Sequence, residues 1–314
     1  LTAIGESAFQ SCQSLTTLTL PTNLASLGSK AFLGCPIETF ALPAQLVSIG
    51  ETPFGKTNAI AVHPDNPNFS STDGLLLSKN QTLLIRCPRE KNLDSFALPA
   101  TVTDIAPKAF FESKISTLII PDRVTTIGSS AFESSLALTQ VTLGNGITTI
   151  ENSTFLRCKN LESIALPTSI LTIGEQAFQY AYALTNLTLP TSITSIGRQA
   201  FSSCTGLTAV SIPEGITVLA DETFRNCSSL TSVSIPNSVT FIGNSAFRSC
   251  SDLTALNLGT GLLTIGDEAF RSCSKLATLA LPDGLTSIGK SAFHMCSKIT
   301  DLNLGSALLT IGED

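Results

Sequence analysis

Leu230-Thr231-Ser232-Val233-Ser234-Ile235-Pro236-Asn237-Ser238-Val239-Thr240-Phe241-Ile242-Gly243-Asn244-Ser245-Ala246-Phe247-Arg248-Ser249-Cys250 decides the fold, because nearly the same order of residues recurs along the whole chain. Anchored on its second Phe, the copies place Phe9, Phe32, Phe54, Phe110, Phe132, Phe155, Phe178, Phe201, Phe224, Phe247, Phe270 and Phe293 at steps of 22 or 23, with one step of 56. A fixed period of this size marks stacked units, each burying its apolar face against a copy of itself. Within a unit, Leu-x-x-Val-x-Ile is the period-two pattern of a strand with one face buried, and Pro or Gly ends it in each copy. Ladder members Leu18, Phe40, Ile60, Phe96, Leu118, Val141, Ile164, Leu187, Val210, Val233, Leu256, Leu279 and Leu302 predict about 13 rungs of 22–23 residues. At about 4.8 Å per rung the sheet would be roughly 60 Å long.

The second half of the unit, Ile-Gly-x-x-Ala-Phe-x-x-Cys, sets its apolar residues three and four apart, which predicts a short helical turn on the outer face. The Gly after Ile is replaced by Ala106, Glu151 and Ala220, so that position demands no left-handed backbone. The expected architecture is therefore an α/β repeat solenoid, a right-handed superhelix with a parallel sheet inside and helical turns outside. One local break interrupts it, at about 63–92. There Leu75-Leu76-Leu77 and Thr82–Ile85 flank Ser78-Lys79-Asn80-Gln81 and predict a β-hairpin in place of one outer turn. Both ends of the chain fall within a repeat, which predicts a fragment of a longer protein.

Composition narrows the function classes. Charged residues are 13% and the formal net charge is −6, with no run of like charge to favour nucleic acid. No apolar stretch approaches the roughly 20 residues of a membrane span. Cys12, Cys35, Cys158, Cys204, Cys227, Cys250, Cys273 and Cys296 all follow the repeat Phe by three, and Thr57, Ser113, Ser135 and Ala181 stand there in other copies. That pattern predicts a column of small buried side chains, not disulfides or a zinc site. His63 and His294 lie far apart in sequence without a nucleophile motif, so catalysis has no candidate residues, and no cofactor is expected.

Binding has candidates. The outward positions of the strands, Gln140 and Thr142, Asn186 and Thr188, Ser232 and Ser234, Asn257, Asp301 and Asn303, make a small, polar, nearly uncharged face. Arg225, Arg248 and Arg271 follow the Phe in three consecutive copies, a basic stripe with Asp221, Glu222, Asp267 and Glu268 near enough to neutralise it.

The unit Leu-x-x-Val-x-Ile-Pro-x-x-Val-x-x-Ile-Gly-x-x-Ala-Phe-x-x-Cys resembles the BspA-like class of leucine-rich repeats, and Asn66-Pro67-Asn68-Phe69-Ser70-Ser71-Thr72-Asp73-Gly74 resembles a segment recurring in that class. The resemblance implies a surface or secreted protein with adhesin-like binding of host matrix proteins such as fibronectin and fibrinogen. The leading expectation is an extracellular, non-catalytic and monomeric module that binds protein or glycan through its sheet face. The rival expectations are a rigid spacer that displays another domain, and an intracellular scaffold.

Overall fold

The computed structural model describes residues 1–91 and 96–313. Asn92, at the end of the expected insertion, lies outside them.

The alternating halves of the repeats form a parallel ladder, one strand per copy. Its rungs include Thr39–Leu42 against Ala59–Val62, Thr117–Ile120 against Gln140–Leu143 and Ser163–Ala165, then Ala209–Ser211, Ser232–Ser234 and Ala255–Asn257, and Thr278–Ala280 against Asp301–Asn303. Asn186 joins as a single parallel bridge to Ala209. Three expected ladder members lie outside strands, Leu18 and Phe96 in irregular chain and Leu187 beside the Asn186 bridge, although all three pack in or against the core.

A second parallel ladder, which the sequence reading did not anticipate, is made by the residue pair before the repeat glycine. Val218–Leu219, Phe241–Ile242, Thr264–Ile265, Ser287–Ile288 and Thr310–Ile311 pair in register, one copy to the next. Here the repeats approach closely: a Cβ on Gly50 would stand 2.3 Å from the Ser29 amide nitrogen. Two of the copies without Gly also change the residue before Phe. Thr154 and Thr223 replace the usual Ala, and their hydroxyls donate to Glu151 O (2.7 Å) and Ala220 O (2.6 Å).

The expected outer helical turns are corrected: the described residues contain no helix. Gly-x-x-Ala-Phe-x-x-Cys is instead a run of four-residue turns, as in Ala246 N to Gly243 O (3.3 Å), Arg248 N to Ser245 O (3.1 Å) and Cys250 N to Phe247 O (3.2 Å). The residues two before and two after the Phe have positive φ, for example Ser245 (54°) and Ser249 (60°). A helix has no place for such a residue; it is the third position of a type II turn that takes one. The amides freed from helical pairing cross to the next copy: Ser245 N donates to Asp267 O (2.8 Å), Phe247 N to Ala269 O (2.7 Å) and Ser249 N to Arg271 O (2.8 Å). Backbone bonds thus run between repeats on every side of the solenoid.

Between the ladders lies the core. From Phe110 to Phe293 the repeat Phe rings stack with centroids 4.9–5.4 Å apart and planes within 13°. The stack does not cross the insertion. Buried residues form two clusters, one over the first copies and one over the rest. The insertion itself is a three-stranded antiparallel meander, Phe69–Thr72, Leu75–Ser78 and Leu83–Arg86, of which the last strand joins the second ladder through Asp104–Ile105. Asp73 and Gly74, both at positive φ, make its first turn, the arrangement a two-residue type I′ hairpin needs.

Candidate functional site

Along each rung every second side chain points away from the core, so successive copies align their outward residues in two columns. One runs Ala209, Ser232, Ala255 and the other Ser211, Ser234, Asn257. No outward side chain there exceeds Asn in size, and the face is hollow. It carries an open trough of about 700 Å³ lined by Asn186, Leu187, Thr188, Ala209, Val210, Ser211, Ser232, Val233, Ser234, Ala255, Leu256, Asn257 and Thr278. None of these is charged, and Val210 and Val233 form an apolar floor between the columns. Along one margin a threonine column bonds to itself: Thr231 Oγ1 donates to Thr208 O (3.0 Å) and Thr254 Oγ1 to Thr231 O (3.2 Å).

The trough brings together five of the residues singled out from sequence, Asn186, Thr188, Ser232, Ser234 and Asn257. Gln140 and Thr142 occupy the same two columns on an earlier rung, and Asp301 and Asn303 on a later one; all four are exposed and outside the trough. Ala209, Ser211 and Thr278 complete the lining and were not singled out, although alternation around Val210 and Leu279 places them on the same face.

The arginine stripe lies elsewhere, on the turns, and none of its members lines the trough. Glu222 accepts from Arg225 Nη1 (2.6 Å), Arg198 Nη2 (2.7 Å) and Gln199 Nε2 (2.9 Å), while Glu268 pairs with both Arg248 and Arg271. Burial alone would raise the Glu222 carboxyl, but the bonds from Arg198, Gln199 and Arg225 outweigh it and hold the group at about 2. Asp221 and Asp267, expected to share in the neutralisation, cap backbone instead: their Oδ1 atoms accept from Asn244 N and Lys290 N, each at 2.7 Å. Arg198 escaped the sequence reading because it sits three residues before its Phe, not one after.

All nine cysteines are free; eight are buried and Cys12, in the first copy, is exposed, contrary to the expectation for that column. Among the described residues no three His, Cys, Asp or Glu side chains gather as a metal site would require, and no helix is long and apolar enough to cross a membrane.

A family profile described as the BspA type leucine-rich repeat region, in six copies, matches residues 1–73, 86–208 and 196–314. The chain belongs to the BspA-type leucine-rich-repeat family. Among solved structures, a leucine-rich repeat protein from Bacteroides ovatus is 26% identical, with a TM-score of 0.66 over 99% of this chain and 82% of its own. One from Eubacterium ventriosum is 22% identical, with a TM-score of 0.53 over 96% of this chain and 69% of its own, and shows the fold alone. No curated protein matches the chain. These BspA-type repeats thus place the trough on the sheet face of a leucine-rich-repeat array.

Proposed function

We propose that this array is a non-catalytic recognition module, secreted or held at a cell surface, that binds an uncharged region of a protein or a glycan in the trough over Ala209–Ser211, Ser232–Ser234 and Ala255–Asn257. The observation that carries the reading is the lining itself: hydroxyls and carboxamides on strands tied to one another by backbone bonds, with no charged residue among them. Its serines have no base in the trough to activate them, so catalysis finds no machinery there. Interfaces draw most of their energy from large anchors such as Trp, Tyr and Arg. This face has none, so the partner supplies the protruding groups and the trough supplies a preformed seat. Membership of the family supports display outside the cell.

Binding of the purified chain to immobilised fibronectin, fibrinogen and a glycan array tests this, with Asn186→Lys/Ser232→Lys inside the trough and Gln140→Lys outside it as control. The expected result is binding that falls by at least about tenfold, some 1.4 kcal/mol, in the double variant and is kept in the control. Loss in both variants moves the site off the trough. Failure of the unaltered chain to bind any of them favours a rigid spacer.

A further inference from the structure

At the insertion the solenoid has a cavity with two unusual backbone amides on its lining residues. In the copies on either side, the amide two residues before the Phe and the amide of the Phe both donate to the next copy: Lys30 N to Glu51 O (2.9 Å) and Phe32 N to Pro53 O (2.8 Å), Lys108 N to Ser129 O (3.2 Å) and Phe110 N to Ala131 O (2.8 Å). Thr52 and Phe54 are the corresponding residues of the copy before the insertion. The meander replaces the outer turn that would have received them, and neither amide has an acceptor among the described residues. Thr52 and Phe54 are nevertheless 7% and 2% exposed. Buried amides without acceptors are rare and costly.

Both residues line a cavity of about 230 Å³ together with Ile49, Pro53, Leu76, Ile85, Arg86 and Lys108 among others. Arg86 is 4% exposed; its guanidinium donates to the Lys108 and Phe111 carbonyls and lies over the Phe111 ring, 5.8 Å from its centroid. Burial lowers it to about 10, so it keeps its charge at neutral pH. No carboxylate lies within 4 Å of it among the described residues, because Glu51, at the rim, is taken by Lys108 Nζ at 2.8 Å. Among the described residues the cavity therefore holds a cation without a carboxylate partner and two amides without acceptors, beside the aliphatic side chains of Ile49, Leu76 and Ile85.

We propose that this cavity binds a short aliphatic monocarboxylate, its charge at the Thr52 and Phe54 amides and Arg86, its tail against Leu76 and Ile85. At about 30 Å³ per water-sized group, 230 Å³ admits roughly seven such groups, the scale of a four- or five-carbon acid. The site is independent of the trough.

Sodium butyrate is the probe, titrated into the isotopically labelled chain while the Thr52 and Phe54 amide resonances are followed, with n-butanol and sodium sulfate at matched ionic strength alongside. The expected result is saturable movement of both amides with butyrate and none with butanol. Removing the rim charge with Glu51→Gln should tighten butyrate by about threefold to tenfold, since one nearby like charge is lost. Filling the cavity with Ile85→Phe should abolish the response; the unaltered chain and Glu51→Gln decide the matter if that variant does not fold. The proposal is overturned if the two amides stay still with butyrate, as a cavity holding only water would leave them. It is equally overturned if butanol moves them as far, or if sulfate binds as tightly as butyrate, because an aliphatic acid is then not what the site selects.

Discussion

Each buried cysteine of the repeat column turns its thiol to the carbonyl of the Phe one copy back. Cys227 Sγ reaches Phe201 O at 3.2 Å and Cys250 Sγ reaches Phe224 O at 3.2 Å. Where Ser135 stands in the column, its hydroxyl makes the same bond, to Phe110 O at 2.6 Å. In these copies the position takes a small donor, whereas Ala181 fills it without one, Thr57 donates to Ile37 O (2.5 Å) instead and Ser113 Oγ accepts from Ile115 N (3.2 Å). Replacing Cys227 with Ala removes the second donor to the buried Phe201 carbonyl, which keeps Cys204 N at 3.2 Å, at a cost of about 0.5–1.5 kcal/mol. Cys227→Ser keeps a donor and should lose less than half as much, as denaturant midpoints of the two variants would show. Equal losses would mean that volume alone matters. Burial also pushes the Cys158 and Cys227 thiols up to about 12, so they stay protonated and unreactive. Alkylation of the native chain should accordingly label Cys12 alone, and unfolding should release the other eight, counted by intact mass.

The strand and the outer turn differ in how plainly their residues announce them. Leu230-x-x-Val233-x-Ile235 fixes both the strand and its buried face, because side-chain alternation follows from the pleat. The trough residues were legible for the same reason. Ile242, Ala246-Phe247 and Cys250 are spaced alike in a helical turn and in consecutive four-residue turns, and what separates these is the sign of φ at Ser245 and Ser249. Serine does not advertise a left-handed backbone as glycine does, so that information emerges only when neighbouring copies take up the amides. The ion pairs on these turns join repeats: Glu222 ties Arg198, one copy back, to Arg225 of its own. With its carboxyl held at about 2 against an ordinary 4.5, the pairing stabilises the fold fully above pH 4.5. That stability drains away as pH falls toward 2, by about 3 kcal/mol at most. Thermal unfolding of Glu222→Gln should therefore be flatter than that of the unaltered chain between those pH values and unchanged in slope above them. At the entry to the meander, buried Asn66 gives Nδ2 to Pro43 O and Leu46 O and receives Asn68 N and Phe69 N on Oδ1, all at 2.9 Å. Asn66→Asp keeps the acceptor but faces two carbonyls with a carboxylate. It should destabilise the chain by roughly 2–4 kcal/mol, measured in urea, and by less at pH values where the new acid is protonated.

Across the whole molecule, stability in a stacked array is close to a sum over units and their interfaces, so a weak interface divides the array into cooperative blocks. The insertion is such an interface. The Phe stack runs unbroken from Phe110 to Phe293, whereas before the insertion Phe32, Phe40 and Phe54 meet at 60–64° and form a separate core. Two strands of the meander join the two cores, with Leu76 and Ile85 on the first and Leu75, Leu77 and Leu84 on the second, aided by the Glu51–Lys108 pair across the gap. Sub-global opening follows such divisions. Amides of the first core, such as Leu27 and Phe32, should exchange with hydrogen as one group, faster than those of Phe201 and Phe247 in the second. Leu76→Ala removes apolar contact from the first core alone. It should speed exchange in the first group by the equivalent of about 2–3 kcal/mol and leave the second unchanged. If instead both groups accelerate together, the meander welds the array into a single block, and the Phe stack is not what sets its cooperativity.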